Sequence, residues 1–311
     1  MIIKKNLNFK NLKNKKVNIS IGAFESLHRG HLKIIKNLIN ESKKDKALST
    51  VITFKNKILK NYKEIILPLS ERINSFKKLG IDILVLLDLK KIKNLSAEKF
   101  LKKISSIFII NKFIIGKDFK FGKNRYGDAQ FIKKNNFKVK IIKLLFYNGE
   151  KISTSKIKEL IKSGEIEKAN KLLGYDYSIK GKVIHGEKLG SKIGFPTINL
   201  KLTHKNQLLP GNGVYLSFVK INNKIYPAMT YIGKKYVGKL KNKYIIESHI
   251  LNFNKNIYYK KVEIFFKKKL RNEIKFSNIE ELKNELKNDK IKLIAEVKKY
   301  GTNKIVKERD Y

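Results

Sequence analysis

The sequence predicts a doubly wound α/β domain followed by a small antiparallel β-barrel and a C-terminal helix. Short apolar runs alternate with amphipathic stretches through the first half, the pattern of βαβ units around a parallel sheet. From Tyr177 to Lys269 helical periodicity is absent, and short β-type runs follow one another, separated by Gly, Asn or Pro, as in a small barrel. A chain of 311 residues is also too long for one typical core and suits two.

In the first half, Val17–Ile21 reads as a buried strand and Leu32–Ile39 as a helix entered through a Gly-containing loop. Leu48–Phe54 is a second strand. Ser70 caps a helix carrying Ile73, Phe76 and Leu79 on one face, and Gly80 stops it. Ile83–Leu87 is a third strand, and Ser96 opens a helix bearing Phe100, Leu101 and Ile104. Phe113–Ile115 and Val139–Leu145 follow as the fourth and fifth strands. In such sheets ligands sit beyond the carboxyl ends of the strands. The barrel strands are expected at Ile179–Ile184, Val214–Ile221, Lys224–Ile232, Tyr244–Leu251 and Val262–Phe266. Ser277-Asn278-Ile279-Glu280 fits a capping box before a lysine-rich helix. The boundary falls near 173–178, giving domains 1–174 and 175–311.

Apolar residues make up 42% of the chain, enough to bury real cores. No apolar run approaches the ~18 residues of a membrane span. The basic N-terminus lacks the apolar stretch of a secretory signal. Cytoplasm is the expected compartment, with no membrane partner. The absence of cysteine excludes disulfides, thiolate metal sites and thiol nucleophiles. A net charge of +45 raises the question of nucleic acid. The lysines are spread over every segment, however, and Lys, Asn and Ile are all abundant, as A/T-rich codons would produce. Such charge speaks to non-specific attraction, so no specific nucleic-acid partner is expected. A basic nucleic-acid-binding protein on an enzyme scaffold stays as the rival class. The sequence assigns no oligomeric state.

Two of the five histidines, His28 and His31, sit three apart in the loop from Gly22, after a strand and opening a helix. A helix N-terminus offers free N–H groups and a positive dipole end to phosphate. Imidazoles beside it can donate hydrogen bonds and stabilise charge developing at an α-phosphorus. Asp118, just past a strand end at Gly116, is either a ligand contact or a loop-capping acid. Ser153, Thr154 and Ser155 precede a helix and are either its N-cap or a seat for phosphates, with Lys158 on the first turn. Gly181, Gly186, Gly190 and Gly194 are dense enough to let backbone approach a phosphate. Pro196-Thr197-Ile198-Asn199 is either a simple turn or, through the Thr197 hydroxyl and Asn199 amide oxygen, a pair of hard ligands suited to Mg²⁺ shared with ATP. By strand alternation Glu247, His249 and Leu251 share one face, so Glu247 is either a general base or a solvent-facing acid.

In order and spacing these blocks resemble the bifunctional prokaryotic riboflavin kinase/FAD synthetase family. His28-Arg29-Gly30-His31 is similar to the HxGH signature of nucleotidyltransferases. Gly116 to Gly122 resembles G-x-D-F-x-F-G, and Ile152 to Lys158 resembles I-S-S-T-x-I-R. Pro196-Thr197-Ile198-Asn199 matches the kinase P-T-x-N, Glu247 its catalytic strand, and Arg271 to Phe276 an R-x-E-x-x-F stretch. The resemblance implies a Rossmann-like FMN adenylyltransferase domain and a riboflavin kinase barrel, with riboflavin, FMN and ATP as substrates and Mg²⁺ as cofactor. It implies ATP contacts at Gly22, Phe24, Gly30, Ser153, Thr154, Ser155 and Lys158 in the first domain. In the second they are Gly181, Gly186, Gly190, Gly194 and Pro196. Flavin contacts are implied at Asp118, Phe121, Arg125, Arg271 and Glu273, and metal ligation at Thr197 and Asn199. Glu247 would be the kinase base, with His28 and His31 stabilising adenylyl transfer. The chain departs from the family at Phe24-Glu25-Ser26 (F-D-G), at Lys55-Asn56-Lys57 (Pro-His-Pro), at Lys158 (Arg), at Ser191 (Arg) and at Asn252 (Asp). A kinase with a weakened first domain is the alternative these changes leave.

Overall fold

The computed structural model describes residues 1–7, 12, 14–55, 64–237, 240–300 and 305–309, with backbone alone at 235–237 and 240–243. Asn56 and Lys57 of the substituted turn lie outside the described residues. The chain forms two compact units, Met1–Thr154 and Ser155–Asp310.

The first unit runs β1 (Ile2–Lys5), β2 (Lys16–Ile21), α1 (Arg29–Lys44), β3 (Leu48–Phe54), α2 (Leu69–Lys78), β4 (Ile83–Leu87) and α3 (Leu89–Ile92). It continues through α4 (Ala97–Ser105), β5 (Ile109–Gly116), α5 (Ala129–Lys134), β6 (Val139–Ile142) and a hairpin of β7 (Phe146–Tyr147) and β8 (Glu150–Lys151). Six strands form a parallel sheet in the order β1-β4-β3-β2-β5-β6. Alternate residues of β4 feed two cores. Ile83, Val85 and Leu87 share one with Phe100, Leu101 and Ile104 of α4. Leu84 and Leu86 share the other with Ile35 and Leu38 of α1 and Phe76 of α2. Both faces are covered, and for that reason the strands read as unbroken apolar runs. The chain leaves β2 for β3 on one side, and β5 later joins on the other. A crevice is expected beyond their carboxyl ends. The histidine loop follows β2 and the Asp118 loop follows β5.

The expected start of α2 is corrected here. Ser70 falls inside the first turn of α2, because Pro68 takes the N-cap position with φ −56° and ψ 154°. A proline ring fixes φ near that value without a side-chain hydrogen bond. β1 was not foreseen: its Ile2 and Ile3 are 45% and 43% exposed, so this edge strand carries neither a buried run nor an alternation. Ser96 does cap α4, accepting from the Lys99 N–H at 3.2 Å.

The second unit carries α6 (Thr154–Ser163), whose first residue belongs to the first unit, and α7 (Ile166–Leu173), which ends on left-handed Gly174 (φ 87°). The barrel strands are β9 (Ser178–Ile184), β10 (Ile198–Leu202), β11 (Gly213–Ile221), β12 (Lys224–Val237), β13 (Leu240–Ile250) and β14 (Lys261–Arg271), with a single turn, α8 (Leu189–Lys192), before β10. They close antiparallel in the order β10-β13-β12-β11-β14-β9. β10 was missed, since five residues after a proline are too few to show a period. One face of the wall, through Val214, Leu216, Met229 and Leu251, shares a core with Leu293 of α9 (Ile279–Lys298). Between those positions Ser217, Thr230 and Ser248 join hydroxyls across β11, β12 and β13, each step 2.7 Å. The capping box of α9 is shifted by one residue. Asn278 is the cap, accepting from the Glu281 N–H, and Glu281 accepts from the Ser277 N–H. Among the described residues no helix is long and apolar enough to cross a membrane.

Residues near the end of the chain are tied back to the barrel. The buried Asp176 carboxylate takes both the Lys267 ammonium and the Lys307 backbone N–H. Lys267 also lies 5.0 Å from the centre of the Tyr300 ring. Removing one partner leaves the other buried charge uncompensated, so Asp176→Ala should destabilise this unit by about 3 kcal/mol. A urea unfolding midpoint equal to that of the parent would refute the expectation.

Candidate active sites

The loop after β2 folds back tightly. The Phe24 ring lies 2.9 Å from where a Gly22 Cβ would stand, so only glycine leaves it room. Phe24 (φ 46°) and Leu27 (φ 44°) hold left-handed angles that side chains other than glycine's rarely adopt. Ser26, where the family has glycine, is not among the left-handed residues. Its hydroxyl instead lies 3.0 Å from Thr154 Oγ1, joining the loop to the Ser153–Ser155 segment. Thr154 and Ser155 themselves lie in the first turn of α6.

His28 is the N-cap of α1, its Nδ1 accepting from the His31 backbone N–H at 3.2 Å. That bond places the imidazole proton on Nε2. Burial pushes His28 down to about 4, against the opposing pull of Asp118. At neutral pH it is therefore an uncharged donor through Nε2. The His31 ring stacks on it at 3.7 Å, Phe24 meets His31 edge-on at 5.3 Å, and Gly30 leaves 3.1 Å for the His28 ring.

One residue that sequence reasoning missed is Arg72. It is 6% exposed, and its guanidinium donates to the Ala23 carbonyl at 2.7 Å and the Phe54 carbonyl at 3.0 Å. Thr53 Oγ1 donates to the same Ala23 oxygen at 2.9 Å. Burial lowers its pKa to about 10, with the charge of buried Glu25 acting the other way. In sequence this arginine looks like a solvent-facing charge on a surface helix. Only the fold brings α2 over the ends of β2 and β3.

Asp118 pairs with Lys151 at 2.5 Å, and both act electrostatically on His28, so these three groups share one neighbourhood. Phe121 stacks against Phe119 at 5.5 Å inside the core, which makes it a packing residue in this structure. Arg125 is exposed with φ 58°, and Lys158 on α6 is buried at 3% exposure.

In the barrel two cavities meet at Thr197. One, of about 410 Å³, is lined by Val183, Pro196, Thr197, Ser248, Asn254 and Tyr258 among others. The second, of about 270 Å³ and more apolar, is lined by Thr197, Met229, Tyr231, Glu247, His249 and Phe276 among others. The β10–β13 register sets Asn199 opposite Glu247. Gly186 is required beside it, since a Cβ there would stand 2.1 Å from the Asn199 amide nitrogen. A Cβ at Gly190 would strike the Phe195 carbonyl at 2.3 Å, so both glycines make way for the protein's own groups. Gly181 likewise faces Leu200, and Gly194 needs its φ of 85°.

The flavin candidates of this unit are tightly held. Arg271 Nε donates to both Asp289 oxygens, at 3.1 and 2.9 Å, and its guanidinium lies 5.7 Å from the Phe276 ring centre. Glu273 accepts from Asn212 at 2.9 Å and from the Tyr231 hydroxyl. Burial raises Tyr231 well above the usual tyrosine range, and the Glu273 bond adds to that. Tyr231, opposite Glu247 in the β12–β13 register, carried no signal in sequence.

A histidine-bearing helix entry at the switch point of a parallel sheet, followed in the chain by a barrel with two cavities, suits a two-site nucleotide-dependent transferase. Comparison with known proteins makes the assignment specific. The FAD synthetase family model matches residues 10–156, and the riboflavin kinase model matches 173–296. A bifunctional riboflavin kinase/FMN adenylyltransferase of Buchnera aphidicola (subsp. Schizaphis graminum) is 39% identical, over 92% of this chain and 96% of its own. The Bacillus subtilis protein of the same name is 31% identical, over 88% and 90%. A solved structure described as a macrolide-efflux protein from Streptococcus pneumoniae has a TM-score of 0.85 at 28% identity, covering 94% of this chain and 98% of that one. The chain belongs to the bifunctional riboflavin kinase/FMN adenylyltransferase family. It phosphorylates riboflavin to FMN and adenylylates FMN to FAD.

Two outcomes follow from the first site. Arg72→Met should lower FAD formation from FMN and ATP by about tenfold or more, as loss of transition-state positioning does, while FMN formation from riboflavin stays at the parent rate. Equal FAD rates would exclude the clamp. For His28 the folded pKa of about 4 lies below the reference 6.5, so the unfolded chain takes up the proton first. This contribution to stability is complete above about pH 6.5 and is lost as pH falls towards 4, by up to about 3 kcal/mol. Thermal melts between pH 4 and 7 should show a shallower acid slope for His28→Asn.

Proposed function

We propose that the kinase reaction takes place where the two barrel cavities meet, with ATP in the larger and riboflavin in the smaller. The observation that carries this reading is Thr197, which lies in both walls, with Asn199 set opposite Glu247. Glu247 removes the proton of the ribityl 5′-hydroxyl. Its oxygen bonds to the γ-phosphorus as the bond to the β-phosphate oxygen breaks, and ADP leaves. Phosphoryl transfer leaves a protein mainly positioning and charge neutralisation to supply. The Thr197 hydroxyl and the Asn199 amide oxygen are hard oxygen donors, and the chemistry of that donor set fits Mg²⁺ carried in with ATP. Bound there, the cation would neutralise phosphate charge. Arg271, Glu273 and Phe276 border the flavin, and the glycines of the α8 segment shape the nucleotide side.

In the first unit a phosphate oxygen of FMN attacks the α-phosphorus of a second ATP, and pyrophosphate departs. His28 and His31 face the developing charge, His28 as a neutral Nε2–H donor. Gly22, Phe24 and Gly30 shape that loop, while Thr154 reaches it through Ser26. Asp118 is the flavin contact, with Lys151 beside it. The functional boundary is placed at Gly174, although α6 beyond Thr154 and α7 group with the barrel by contact.

Riboflavin, ATP and Mg²⁺ supplied together should give FMN first and FAD later by chromatography. Glu247→Gln should slow FMN formation by about 100-fold or more, the usual range for a lost general base. His31→Ala should depress FAD formation by about 100-fold, as for a lost oxyanion donor, and leave FMN formation intact. An unchanged FMN rate in Glu247→Gln would falsify the base assignment.

A further inference from the structure

The smaller cavity contains a histidine that this reaction scheme does not use. His249 stands two residues after Glu247 on the same side of β13, lines the same cavity and is 8% exposed. Its Nδ1 lies 2.9 Å from the Pro196 carbonyl oxygen, and its ring meets Phe195 edge-on at 5.4 Å. A carbonyl only accepts, so Nδ1 carries the proton. Burial holds His249 below the usual histidine range, which keeps the ring neutral.

The position of that bond gives it a purpose. The β10–β13 ladder pairs Asn199 with Glu247 and Ile198 with Ser248, and its register stops there. Thr197 and Pro196 continue past the last rung. Pro196 has no N–H with which to extend the ladder, and Gly194 just before it turns through a left-handed φ of 85°. The His249 side chain reaches out from β13 and takes the Pro196 carbonyl, where a further rung would otherwise have to secure the strand.

We propose that His249 is a positioning residue of the kinase, whose Nδ1–H bond to the Pro196 carbonyl holds the Thr197 hydroxyl in register with the Glu247 carboxylate. This rests on the reading of Thr197 as part of the ATP-binding end of the site. It assigns His249 no contact with the reacting atoms and no exchange of protons during turnover. What matters is the donor at the Nδ1 position.

Asparagine and glutamine separate that requirement from simple packing. The amide nitrogen of an asparagine can stand where Nδ1 stands, whereas a glutamine carries its amide to the Nε2 position. Riboflavin phosphorylation should be measured for the full chain with Mg·ATP, with FAD formation from added FMN as an internal control. His249→Gln should lower kcat about tenfold and raise the KM for ATP, with the KM for riboflavin little changed. His249→Asn should return kcat to within about threefold of the parent. Equal rates in the two variants would overturn the proposal, as would a loss confined to the riboflavin KM, which would make His249 a flavin contact. Loss of the barrel's thermal transition in both variants also counts against it, because the residue would then serve packing alone. Thr197→Ala tests the underlying reading separately. If that variant phosphorylates riboflavin normally, the assignment of Thr197 fails. If it is impaired while His249→Gln and His249→Asn are alike, only the role of His249 fails.

Discussion

A guanidinium withdrawn from water has to find oxygen, and Arg72 finds it at the carboxyl ends of two neighbouring strands. Without Arg72 the Phe54 carbonyl at the end of β3 would lose this donor, the Ala23 carbonyl would keep only Thr53, and buried Glu25 would face a less favourable field. Leaving such groups unpaired costs about 1–3 kcal/mol each, more where charge is involved. The bent conformation of the loop, with Phe24 and Leu27 both left-handed, is held by this arrangement and not by local preference. The histidine stack then rests on the loop, with Phe24 against His31 and His28 capping α1. Burial keeps His28 uncharged, so its Nε2–H is offered as a neutral donor rather than as a cation.

The barrel solves a related problem with strand pairing. Antiparallel register sets Asn199 across from Glu247, and the absent side chain of Gly186 leaves the amide its space. The wall at Arg271 is built differently: α9 covers one face of it through Leu293, and buried Asp289 on that helix fixes Arg271 with both oxygens. Burial raises Asp289 while the Arg271 charge opposes it, so the pair is held together by mutual need. The helix thus completes a cavity that the barrel alone would leave open. The product of this unit is the substrate of the other, which gives one chain a reason to carry both.

Much of this was legible beforehand. Parallel strands covered on both faces leave long apolar runs, so β2, β3 and β4 were readable almost to the residue. The barrel strands were recognisable from short runs between turn residues, and the two candidate loops stood out because histidine is scarce and the Pro196-Thr197-Ile198-Asn199 order is distinctive. The misses share a cause. β1 and β10 are too short or too exposed to show a period, and Pro68 hid the true start of α2 behind a plausible serine. Phe121 sits in a family motif, yet the structure packs it in the core with Phe100.

By itself the sequence determined the fold class, the order of the two units, the family, and which loops are candidates for the chemistry. Each is written in local pattern: the period of apolar residues, the spacing of glycines, the residue types beside a strand end. Tertiary structure alone decided the protonation of His28, the clamp at Arg72, the Asn199 and Glu247 pairing, and the bond from His249 to Pro196. These depend on burial and on contacts between segments far apart in the chain. Desolvation and hydrogen-bond geometry exist only once those segments are packed together, and no local pattern records them.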